Sequence, residues 1–151
     1  YGPNLFEFDL KGKELRRFKI PAHFQIETQS ANPKDELPPI VKKGRIPNRG
    51  FEGLAISPNG AALFALLQSP LIQDATQNKE GFMEGVNVQL LKIEVATGST
   101  NEFVYPLDHT TNGLNEILAV SETEFLVIER DSKPGIDAKF KKIFLIDIEN
   151  A

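Results

Sequence analysis

The chain has 151 residues, of which 40% are hydrophobic and 25% charged, with 17 basic and 21 acidic side chains and a formal net charge of -4. That is the length of one ordinary domain. No window approaches the roughly 18 uninterrupted apolar residues of a membrane span, so no transmembrane segment is expected. The absence of cysteine excludes disulfides and thiolate metal sites.

Charge is unevenly placed. Residues 1–50 carry ten basic side chains against six acidic, and the remainder carries seven against fifteen. The basic part centres on Lys42, Lys43, Arg45 and Arg49, and a solvated loop is its simplest explanation. With a pI near 5.3 and no interleaving of basic and aromatic residues, nucleic acid is excluded as the expected partner. The chain begins with Tyr, not Met, and shows no signal-like segment, as expected of one processed or cut from a longer protein.

In chain order, residues 5–10 read as a strand, 11–13 as a turn and 15–20 as the returning strand. Residues 21–48 are rich in Pro, Asn and charge, and a loop of that length is usually functional or mobile. Residues 51–57 form a strand that ends in Ser57-Pro58-Asn59-Gly60, a turn in which Pro presets φ and Asn-Gly accepts positive φ. Residues 62–67 return, and 68–85 form a second long loop. Strands at 88–95 and 102–105 flank a turn about Gly98. Strands at 114–120, 125–129 and 140–148 follow, with a polar loop at 130–139. No segment holds a helical period for more than two turns, so the chain reads as all-β.

One run of residue types recurs at 5–10, 90–95 and 143–148, each with an acid just before its end: Asp9, Glu94 and Asp147. An offset of 85 carries Asp9 onto Glu94, Phe18 onto Phe103 and Pro21 onto Pro106. Strand-sized repeats stack to share a core, as in propellers. The expected architecture is a β-propeller fragment of four-stranded antiparallel blades, with about nine strands or just over two blades. Residues 1–21 supply the last two strands of one blade, 51–107 a complete blade, and 113–151 the first three strands of the next. Open outer edges in such a fragment invite self-association.

Superposing Ala55-Ile56-Ser57 on Ala119-Val120-Ser121 gives an offset of 64, which places Glu52 on Glu116. Both would open the innermost strand of a blade and face the channel mouth. Acids repeated there suit a hard cation such as Ca²⁺ or general acid/base work. The alternative is that they cap strand ends and pair with Arg49 and Arg130. Asp9, Glu94 and Asp147 are expected to cap turns. His23 and His109 miss equivalence by one residue and read as solvated. No Gly-x-Ser-x-Gly elbow is present.

The stretch Asn48-Arg49-Gly50-Phe51-Glu52-Gly53-Leu54-Ala55-Ile56-Ser57-Pro58-Asn59-Gly60 resembles the signature of the phytase-like, esterase-like propeller family of exported bacterial proteins. Ala65-Leu66-Leu67-Gln68-Ser69-Pro70-Leu71, Tyr105-Pro106-Leu107-Asp108, Asn112-Gly113-Leu114-Asn115-Glu116-Ile117 and Leu126-Val127-Ile128-Glu129-Arg130-Asp131 resemble its further motifs in order. Tyr1-Gly2-Pro3 is similar to the end of another. The resemblance implies an exported propeller, periplasmic or secreted, that hydrolyses phosphoric or other esters. It implies catalytic roles for Glu52, Glu116 and Glu129, substrate binding by Arg49 and Arg130, and Ca²⁺ held by Glu52, Glu116 and Asp131. The other reading is a non-catalytic module that binds a small ligand or partner through the loops at 21–48 and 68–85.

Overall fold

The structure is a computed structural model that describes residues 2–151. Tyr1, where the first family-like motif begins, lies outside the described residues. Among the described residues eleven strands are formed, and they pair antiparallel in separate sheets. β1 (Leu5–Phe8) pairs with β2 (Glu14–Phe18). A four-stranded sheet follows in the order β3 (Phe51–Ile56), β4 (Ala62–Leu67), β7 (Asn87–Glu94) and β8 (Thr100–Pro106). β9 (Gly113–Ala119), β10 (Glu124–Arg130) and β11 (Lys141–Asp147) make a three-stranded sheet. The expected count of nine strands is two short. β5 (Thr76–Gln77) and β6 (Met83–Glu84) form a two-residue hairpin inside the segment read as loop. Strands that brief carry too little alternation to stand out from a polar loop. The described residues include no α-helix, and no helix is long and apolar enough to cross a membrane.

Turn chemistry fixes the strand ends. Asp9 Oδ1 accepts the amides of Lys11 (2.8 Å) and Lys13 (2.9 Å), and Asp147 Oδ1 accepts that of Glu149 (2.9 Å). Two of the three repeated acids therefore cap turns, whereas Glu94 pairs with Lys92 at 2.8 Å. At the Asn59-Gly60 turn, Gly60 adopts φ 72° and donates its amide to Ser57 O at 2.8 Å. Leu5 faces Phe18 across the first hairpin as Leu90 faces Phe103 across β7 and β8.

The main core fills the space between sheets. Phe64 of β4 and Phe125 of β10 are fully buried, with ring centroids 4.4 Å apart. Val88, Leu90, Leu91 and Ile93 of β7 add to the same cluster. Val88 and Leu90 lie on one face of this central strand and Leu91 and Ile93 on the other, so β7 is covered on both sides. A second, smaller core of Ile26, Val41, Ile46, Ile72 and Met83 binds the two long segments to each other. Gly44 is required there: at φ 101°, any Cβ would lie 2.5 Å from Gln25 O. The segment at 21–48 is thus packed down, with 3₁₀ turns at Ala22–Phe24 and Pro33–Glu36.

Candidate functional site

The inner strands of the two larger sheets, β3 and β9, run side by side at very short range. A Cβ on Gly53 would come within 2.9 Å of the Ile117 amide nitrogen and 3.1 Å of the Glu116 carbonyl carbon. Only the lack of a side chain permits that approach. A backbone relay ties their starts together: Gln68 donates its amide to Gly50 O (3.0 Å), and Gln68 O accepts from Leu114 N (2.9 Å). Arg49, Glu52, Asn115 and Glu116 are thereby carried on adjoining backbone at one end of neighbouring sheets.

Both inner strands bulge at this end. Against β4, Phe51 faces Leu67 and Gly53 faces Leu66, so Glu52 is the extra residue. Against β10, Leu114 faces Glu129 and Glu116 faces Ile128, so Asn115 is the extra one. Bulges re-aim side chains and are frequent beside functional sites. The offset of 64 holds for Ala55 and Ala119, which face Phe64 and Phe125. It carries on to Gly53 and Ile117, which face Leu66 and Val127, but the second bulge falls one pair later than the first, and beyond it the offset is 63. The match of Gly50 with Gly113, at an offset of 63, is the sequence signal for it.

Glu52 is exposed, and no hydrogen bond or ion pair joins its side chain to another described residue. Glu116 is exposed too, and its Oε1 accepts the Ile117 amide at 3.0 Å. Arg130 donates Nε to Asn115 Oδ1 at 2.6 Å and Nη1 to Asp131 O at 3.4 Å. Arg49 is half-buried, and its guanidinium has no acidic partner among the described residues. Burial, and then the nearby charge of Arg130, lower its pKa below that of an ordinary guanidinium. The expected alternative, acids paired to these two arginines, is absent among the described residues. Arg49 and Arg130 are near enough for their charges to interact, and neither forms an ion pair with a carboxylate among the described residues. Arg49 and Glu52 also line a groove of about 600 Å³, together with Ser30, Pro33, Glu36 and Arg45. Glu36 and Arg45 form a buried ion pair at 3.0 Å on its wall.

Two of the expected site residues are placed elsewhere. Glu129 is 1% exposed. Its Oε2 accepts the Tyr105 hydroxyl (2.9 Å), and its Oε1 accepts Asp108 N (2.9 Å) and Asn112 Nδ2 (2.7 Å). It ties β10 to the end of β8 and the turn before β9, and it is not at the mouth. Burial and the Glu129 contact raise the Tyr105 pKa. Asp131 is committed to its own loop. Its oxygens accept the amides of Lys139 (2.6 Å), Phe140 (2.9 Å) and Lys133 (3.2 Å), and Lys141 Nζ. The Lys141 bond leads the causes that hold its carboxyl well below the usual range.

A calcium ion needs roughly six to eight oxygen ligands. Among the described residues, no three His, Cys, Asp or Glu side chains gather closely enough to hold a metal ion. With Asp131 engaged and Glu116 turned onto its own backbone, the trio Glu52, Glu116 and Asp131 does not fit one.

Comparison with known proteins adds to this geometry. The chain is 26% identical over 168 residues to an "Uncharacterized secreted protein" of Arthroderma benhamiae; the match covers 93% of this chain and 32% of the relative. The chain thus spans about a third of that curated relative's length. No solved structure matches it. The family model "Phytase-like: Esterase-like activity of phytase" matches residues 1–151, and the all-β chain with its bulged inner strands belongs to that family.

Proposed function

We propose that the chain belongs to a hydrolase of phosphoric or other esters, with the anionic group of the substrate received between Arg49 and Arg130. The observation that carries this reading is the unpaired, half-buried Arg49 beside Arg130. A cation so placed gains more from an incoming anion than a solvated one, because screening is weaker there. The planar guanidinium fork donates two parallel hydrogen bonds to phosphate or carboxylate oxygens. Asn115 fixes Arg130 in orientation. Glu52, free and exposed, acts as general base toward the attacking water. Glu116 sits beside it as a second carboxylate, and Glu129 and Asp131 act as supports.

The test is turnover of phosphomonoester, phosphodiester, carboxylester and lactone substrates by the chain. Arg49→Gln should raise KM for anionic substrates by roughly tenfold or more, the worth of a charged hydrogen bond. Glu52→Gln should lower kcat. Turnover indifferent to both substitutions ends the proposal.

A second reading, a non-catalytic ligand-binding module, draws support from the packed loops. Ile72 donates its amide to Gly44 O (2.9 Å), and Gly44 donates to Gln73 Oε1 (2.9 Å). These bonds hold in place the 21–48 segment, whose Ser30, Pro33, Glu36 and Arg45 line the groove, as binding surfaces on rigid scaffolds require. Tight binding of a substrate analogue without turnover would favour it. Either activity is proposed to operate outside the cytoplasm, in line with the relative's description as secreted; recovery of the native protein only from cytoplasmic fractions would contradict that.

A further inference from the structure

We propose that Gln68 is the third binding group of the anion site: its neutral carboxamide donates to the bound oxyanion and leaves both arginines charged toward it. The inference rests on the reading of Arg49 and Arg130 as that site. Gln68 follows β4 directly, and its neighbours come from β3 and β9. Its backbone amide binds Gly50 O at 3.0 Å, beside Arg49. Its side chain packs on the start of β9, where a Cβ on Gly113 would stand 3.3 Å from Gln68 Cγ and 3.9 Å from the carboxamide carbon. Gly113 faces Arg130 across the ladder. One residue therefore bridges the strand start that carries Arg49 and the strand pair that carries Arg130.

The carboxamide is uncommitted. Gln68 is half-buried, and no hydrogen bond joins its side chain to another described residue. Gln89 Oε1 is the one fully buried side-chain atom without a partner among the described residues, so the Gln68 amide atoms reach solvent. A half-buried amide has given up part of its hydration and gains a partner when an anion arrives. Nε2 carries two donors for a phosphoryl oxygen, and Oε1 accepts from a guanidinium or a substrate hydroxyl. Neutrality is the second half of the role. Neither arginine forms an ion pair with a carboxylate among the described residues, and an acid at position 68 would supply one. Glutamine keeps a donor there without cancelling the charge that attracts the anion. Asn115, which accepts from Arg130 Nε at 2.6 Å, is likewise neutral.

Inorganic phosphate titrated into the isotope-labelled chain tests this by NMR. In the wild type, the Gln68 side-chain amide signals should shift with the same saturation curve as the Arg49 and Arg130 Nε–H signals, a comparison that needs no variant to fold. Gln68→Leu, close in size and without a donor, should bind phosphate about tenfold more weakly. Gln68→Glu should bind it about a hundredfold more weakly, since it sets a like charge against the anion and pairs with an arginine. In that variant an arginine Nε–H signal should move before any phosphate is added. Circular dichroism should be unchanged in both variants, because Gln68 lies just outside the strand. If all three wild-type signals stay fixed, the arginine site falls and the role of Gln68 falls with it. Gln68 signals that stay fixed while both arginines respond, or a Gln68→Glu chain that binds like the wild type, overturn this proposal and leave the arginine site standing.

Discussion

Glu129 and Asp131 stand two residues apart and show how neighbours with the same charge take different work. Strand parity explains the first. Phe125, Val127 and Glu129 share the inward face of β10, so a carboxylate is carried into the core. There it survives because three donors meet it. That parity was readable in the sequence, and a charge at an inward position is a signal of buried partners. Asp131 lies just past the strand and gathers amides instead. Its carboxyl pKa is depressed in the folded state, so its stabilisation is present above the unfolded value, near 3.9. It is lost as pH falls below that toward the folded value. Asp131→Asn should therefore lower the melting temperature at pH 7 and flatten its decline in acid. Parallel acid limbs in a pH series of melting curves would show that the loop does not depend on this charge.

At the scale of elements, alternation and turn residues were legible. β4 coincides with the expected strand at 62–67, because Asn59-Gly60 closes one end and polar Gln68 opens the other. The bulges at Glu52 and Asn115 were not, since a bulge is a fact of pairing register and residue type hardly marks it. For the same reason the pattern that aligned Glu52 with Glu116 gave no sign that the two bulges fall one ladder position apart. The contact of β3 with β9 rests on Gly53. Gly53→Ala would gain about 0.4–1 kcal/mol from a stiffer unfolded chain. Against that, a Cβ within 2.9 Å of the Ile117 nitrogen must push two backbones apart. Overpacking of that kind costs about 1–3 kcal/mol, so the net effect is destabilising. A lower urea midpoint for the variant is expected, and an equal or higher one would mean that the strands part freely.

Over the whole molecule, stacked antiparallel sheets place their inner strand starts together, and the chemistry gathers there. The all-β class and the complete four-stranded sheet followed from turn spacing and period. The clustering of Arg49 with Arg130 needed the sheets to be docked, because 81 residues separate them in the chain. The most direct measurement is a titration of the isotope-labelled chain with inorganic phosphate, followed by NMR at the arginine Nε–H and backbone amide signals. Saturable shifts centred on Arg49, Asn115 and Arg130, and abolished by Arg49→Gln, are expected. Shifts confined to Lys42 and Lys43, or none at any phosphate concentration, would contradict an anion site between the sheets.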